Sequence, residues 1–97
     1  MYAVIFRAEI GELDDAYLEM AARMRELAIN RYGCIEFTAV TEGNTEIAIS
    51  YWQDQKKIQE WKQNAEHLLA QELGRIKWYK AYEVEVVKII RSYHKNP

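Results

Sequence analysis

From Tyr2 to Ile10 the apolar side chains fall on alternate residues. Tyr2, Val4, Phe6, Ala8 and Ile10 share one face, and Ile5, Arg7 and Glu9 share the other. A period of two marks a strand, and Gly11 breaks it. The period then changes. Tyr17, Met20, Ala21, Met24, Leu27 and Ala28 recur at helical spacing, with Glu19, Arg23, Arg25 and Glu26 outside. This predicts an amphipathic helix of about four turns. Asp14-Asp15 places acidic groups at its start, where free N–H groups and the helix dipole favour them. Gly33 is placed to end it, because glycine takes left-handed backbone angles without strain.

Alternation returns after Gly33. Ile35, Phe37 and Ala39 oppose Glu36, Thr38 and Val40, which predicts a second strand. Glu42-Gly43-Asn44 is a turn signal. A third strand over Glu46 to Trp52 sets Ile47, Ile49 and Tyr51 against Ala48, Ser50 and Trp52. Strand, short turn and strand predict a hairpin. Asp54 is a good N-cap for a second helix, with Ile58, Trp61 and Leu69 on its apolar side. Gln63-Asn64-Ala65 offers a kink or a restart there, with Asn64 as a fresh cap. Leu68, Leu73 and Ile76 extend the stripe, and Gly74 weakens the helix near its end. A long last strand is predicted over Tyr82 to Tyr93. Its phase changes at Val86-Val87 and Ile89-Ile90, as a bulge or burial on both faces would produce.

The order is β-α-β-β-α-β. Right-handed crossovers convert it into an α+β, ferredoxin-like domain: a four-stranded antiparallel sheet with both helices on one face. Several strands are apolar on both phases, so the uncovered face calls for a second copy packed sheet to sheet. A homodimer is expected.

Composition narrows the class. The chain has 97 residues, enough for one domain over 1–97 that closes in a short polar tail. It is 49% hydrophobic and 29% charged, too apolar for disorder. A net charge of −2, with basic residues interleaved among acidic ones, argues against nucleic acid and anionic membranes as partners. No apolar run approaches the ~20 residues of a membrane helix, and no signal peptide is evident. Cys34 is the lone cysteine, so no internal disulfide forms, which suits the cytoplasm. Aromatic residues make up 12% and need a use in core, interface or pocket.

The run Ile49-Ser50-Tyr51-Trp52-Gln53-Asp54, followed by Ile58, Trp61 and His67-Leu68-Leu69-Ala70-Gln71, resembles the antibiotic-biosynthesis-monooxygenase (ABM) family of dimeric α/β-barrel proteins. Tyr32-Gly33-Cys34 and Trp78-Tyr79 match it as well. The resemblance covers nearly the whole chain, through diffuse motifs. It implies oxygenation of electron-rich phenols or hydroquinones by molecular oxygen without flavin, haem or metal. A non-catalytic dimeric protein that binds a small aromatic ligand is the alternative, because one fold hosts many functions. Haem-degrading relatives carry a first-strand asparagine, a second-helix tryptophan and a later histidine. Trp61 matches the tryptophan, but Gln71 stands at the histidine position and Ala8 or Arg7 at the asparagine position. That argues against haem degradation.

The resemblance also matches His67 to a histidine of the phenol and quinol branch, and makes it the candidate general base; neutral imidazole can take a phenol proton. A cap or packing role is the plain alternative. Trp61 and Trp78 are candidate pocket walls, although Trp61 also suits core packing and Trp52 or Trp78 a dimer seam. Tyr51 is a candidate lining residue that equally suits a core. Gln71 could bond a ligand carbonyl. Arg7 could hold an anionic ligand, with an ion pair to Glu36 or Glu85 the better reading. Cys34 reads as a packing residue, and His94 as solvated. No metal-ligand spacing, phosphate loop or dinucleotide motif is present.

Overall fold

The computed structural model of the chain describes the backbone of residues 1–71 and 78–97 and the side chains of 1–65 and 78–97. Its elements follow the predicted order: β1 (Tyr2–Ile10), α1 (Asp15–Asn30), β2 (Glu36–Glu42), β3 (Thr45–Trp52), α2 (Gln55–Gln71) and β4 (Tyr79–Lys88). The strands form one antiparallel sheet in the order β2-β3-β1-β4. This is the ferredoxin-like arrangement.

Local chemistry explains the ends of the elements. Asp14 is extended and its carboxylate accepts from the Tyr17 amide at 2.9 Å, so it caps α1. Past the helix, Tyr32 N donates to Leu27 O and Cys34 N to Ala28 O, and Gly33 at φ +77° turns the chain toward β2. In the hairpin, Glu42 faces Thr45 across the two residues Gly43 and Asn44. Only Gly43 has positive φ, +59°, as a II′ turn requires at its first central position. At α2, the Asp54 carboxylate accepts from Lys56 N at 2.7 Å.

Expectations about α2 and β4 need correction. α2 is continuous through Asn64, with no restart. The Asn64 side chain donates to the Tyr32 hydroxyl at 3.2 Å and ties α2 to the loop after α1, so it does not act as a cap. β4 starts at Tyr79 and stops at Lys88, well short of Tyr93. At that end Lys88 pairs with Tyr2, the first residue of β1, and Ile89 N reaches Met1 O. The irregularity in β4 is also at its other end. Glu9 faces Ala81 and Ile10 faces Tyr79, which leaves Lys80 as the extra residue. Val86 and Val87 are exposed in the chain, 48% and 36%, not buried on both faces. The predicted stripe positions Leu68, Leu69, Leu73 and Ile76, and the weak point Gly74, lie outside the described side chains.

The helices cover the face bearing Val4, Phe6 and Ala48. The core beneath them is split in two. One cluster joins Val4, Ala28, Cys34, Trp52 and Ile58; the other joins Tyr17, Met20 and Trp78. Trp52 and Trp78 are fully buried, and each indole N–H has a partner: Ser50 Oγ at 2.8 Å and the Asp14 carboxylate at 3.1 Å. The opposite face carries half-buried Ile5, Ile47, Ile49 and Tyr51 and an exposed Val40. No described helix is long and apolar enough to cross a membrane.

Candidate functional site

Between the two core clusters lies a cavity of about 540 Å³. That volume suits a small organic ligand. It exists because small side chains stand where large ones would fill the space. Ala39 and Ala48 face each other across β2 and β3, and Ala48 is next to Phe6 on β1. Ala21 and Ala22 of α1 and Ala65 of α2 stand on the helix side. Each alanine ends at Cβ, so the sheet and helices are held apart by the clusters at either end and not packed flush.

The walls are aromatic. Trp61 stacks obliquely on Trp52 at 5.4 Å and meets Phe37 edge-on at 6.2 Å, while its indole N–H donates to Met24 O at 3.0 Å. Phe6 meets Tyr79 edge-on at 5.4 Å, and Tyr82 lies 5.9 Å from Phe6. Trp78 closes the far end against Tyr17 at 5.4 Å. The rings hold one another in edge-to-face and tilted pairs, which keeps the walls upright around the space. Near Phe37 the guanidinium of Arg25 sits 5.8 Å above the ring, and both Arg25 and Lys62 line that end.

The opposite end is acidic. Glu46 of β3 accepts from the Tyr17 hydroxyl at 2.7 and 2.8 Å, and the Tyr79 hydroxyl lies 3.4 Å from that of Tyr17. Burial, and then the bond to Glu46, raises the Tyr17 hydroxyl far above the usual phenol range. Burial also pushes Tyr79 up to about 12. Both hydroxyls therefore stay protonated at neutral pH, and both serve as donors.

Trp61 and Trp78 line the cavity. Arg7 and Tyr51 do not. By alternation they lie on the opposite sheet face, away from Phe6 and Ala48. Arg7 pairs there with Glu83 and Glu85, both at 3.4 Å. Glu36, the other proposed partner, is on β2 with β3 in between, and faces Tyr51. The side chains of His67 and Gln71 lie outside the described residues. Burial pushes the Cys34 thiol up, away from the thiolate a nucleophile needs. Among the described residues no cluster of three metal-binding side chains occurs.

Sequence reading missed Phe6, Tyr17, Phe37, Glu46 and Tyr82 as lining residues. Their signal was weak. Tyr17 reads as one more apolar-stripe residue, and Glu46 as the start of a strand. The alternate alanines, Ala39 and Ala48, were the clearest available clue.

No protein-family model matches the chain. It is 40% identical over 92 residues to YqjZ of Bacillus subtilis (strain 168), covering 94% of this chain and 81% of YqjZ. It is 31% identical over 101 residues to "Jasmonate monooxygenase ABM" of Pyricularia oryzae, covering 99% of this chain but only 46% of that protein. Among solved structures, a variant of SnoaB, a cofactor-independent oxygenase from Streptomyces nogalater, superposes with a TM-score of 0.75 over 97% of each chain at 14% identity. At that identity the likeness establishes a common fold.

Proposed function

The chain is a relative of YqjZ and has the fold of the antibiotic-biosynthesis monooxygenases, and from that premise we propose that it belongs to that family and oxygenates an electron-rich phenol or hydroquinone with molecular oxygen. The observation that carries this reading is the cavity: about 540 Å³, aromatic at its walls, with basic side chains at one end and Glu46 at the other. A flat aromatic ring stacks well in such a space. The indoles of Trp61 and Trp78 present apolar surface to the bound ring.

The reaction requires a base and no electron carrier, because the substrate supplies the electrons. Loss of the phenolic proton makes an electron-rich anion that reduces oxygen. One oxygen atom enters the ring as a carbonyl. The other leaves as water, with the two hydrogens the substrate gives up. His67 is the proposed base, on its match to the histidine of the phenol and quinol branch, and α2 carries it beyond Trp61 and Ala65. Two copies joined through the face of Ile5, Ile47 and Ile49 complete the reading. The lone, buried Cys34 is compatible with work in a reducing cytoplasm.

The test is oxygen uptake with naphthohydroquinones and anthrone-like phenols, and incorporation of labelled oxygen into product. Uptake should fall at least ~100-fold in His67→Ala, the usual contribution of a positioned base. It should also fail in Ala48→Phe, which fills the cavity. Saturable quenching of tryptophan fluorescence without uptake would instead make the protein a ligand-binding one. Full activity in Ala48→Phe would sink the proposal.

A further inference from the structure

The acidic end of the cavity has a directed hydrogen-bond chain. Tyr79 donates toward Tyr17 at 3.4 Å, and Tyr17 donates to Glu46 at 2.7 Å. Every proton in the chain therefore points at the Glu46 carboxylate, which is its terminal acceptor. A carboxylate has about four acceptor sites on its two oxygens, and the single Tyr17 proton takes the equivalent of one. Among the described residues Tyr17 is the group that donates to Glu46. The carboxylate also lines the cavity. Unused acceptor capacity faces space in which a ligand would sit.

We propose that Glu46 is a recognition residue that accepts a hydrogen bond from a hydroxyl of the aromatic ligand that keeps its proton, distinct from the one His67 would deprotonate, with Tyr17 and Tyr79 as the residues that position it. This rests on the cavity being the ligand site, and it adds an orientation and a selectivity. The hydroxyl points toward Glu46, and the ring lies over Ala39 and Ala48 between Phe6 and Trp61. An ether in place of the hydroxyl has no proton to give, and Glu46 then loses solvent without compensation. A carboxylate in the same place meets a like charge. The tyrosines hold the preference constant near neutral pH, because burial keeps both protonated.

The experiment is tryptophan-fluorescence titration of the whole chain, without oxygen, using naphthol, methoxynaphthalene and naphthoate. Wild type should bind naphthol about tenfold more tightly than methoxynaphthalene, the worth of one hydrogen bond to a charged group. Glu46→Ala should bind the two equally. Glu46→Gln keeps the shape and an acceptor for Tyr17, and should bind naphthoate several-fold more tightly than wild type does. An unchanged naphthol preference in Glu46→Ala, or unchanged naphthoate binding in a folded Glu46→Gln, overturns the assignment. Equal binding of naphthol and methoxynaphthalene by wild type overturns the role of Glu46 and leaves the cavity as the ligand site. No binding of any probe overturns both.

Discussion

Tyr79 links the site to the stability of the fold. It is neutral when protonated, and burial favours that form, pushing its hydroxyl up to about 12 from an ordinary 10. The unfolded chain thus gives up this proton at lower pH than the folded one. The stability Tyr79 contributes is complete below about pH 10 and is lost as the pH climbs through about 12. Tyr17 is shifted in the same direction by burial and by Glu46, and steepens the same loss. Urea melts at a series of alkaline pH values should show stability falling across this window. Tyr79→Phe should flatten the fall, leaving the part due to Tyr17. A slope unchanged by that substitution would mean that the Tyr79 hydroxyl is no more buried in the fold than in the unfolded chain.

The ends of α1 show how one residue serves two elements. Asp14 caps the helix through the Tyr17 amide, and its same carboxylate oxygen receives the indole N–H of Trp78 at the head of β4. The start of α1 is thereby tied to the strand that begins 64 residues later. Asp14→Ala removes the cap and leaves a fully buried indole N–H without its acceptor. The expected cost is about 2 kcal/mol, the upper part of the range for a lost cap. Asp14→Asn, which can still accept both bonds, should recover most of it. Chemical denaturation of the pair tests this. Equal stability in Asp14→Ala and wild type would show that Trp78 finds another partner.

At the scale of the whole molecule, the sheet has one face under helices and one that no described element covers. Ile49 is central on the bare face, with Ile5 on one side and Thr38 on the other. An apolar surface of this kind is stabilised by a partner, and a second copy offers the same surface in return. On the proposed homodimer, Ile49→Glu should yield monomers in sedimentation experiments while the far-UV spectrum keeps its shape. The substituted carboxylate would meet its own copy at the seam, and burial of like charges is costly. Unchanged dimers would place the interface elsewhere; a monomeric wild type would remove it. The ion pairs of Arg7 with Glu83 and Glu85 lie on this face as well. As exposed pairs they are worth about 0–1 kcal/mol, so apolar area is the main driving force for association.

What the amino-acid order determined by itself is the series of elements. Period two in Tyr2–Ile10, helical period through Tyr17–Ala28, and Gly43-Asn44 between two alternating runs are local signals, and local backbone sterics and capping enforce them. Alternation also sorted strand residues correctly into faces: Ile47, Ile49 and Tyr51 do oppose Ala48, Ser50 and Trp52. It could not say which face the helices would cover, and that choice is what separates Arg7 and Tyr51 from the cavity. Only the tertiary structure decided the rest. The end of β4 falls opposite the start of β1, a strand at the other end of the chain. The cavity arises where Ala39 and Ala48 come into register beside Phe6. Glu46 meets Tyr17 across 29 residues of sequence. Empty volume and the pairing of distant polar groups are properties of packing, which depends on all neighbours at once, and no local period in the chain encodes them.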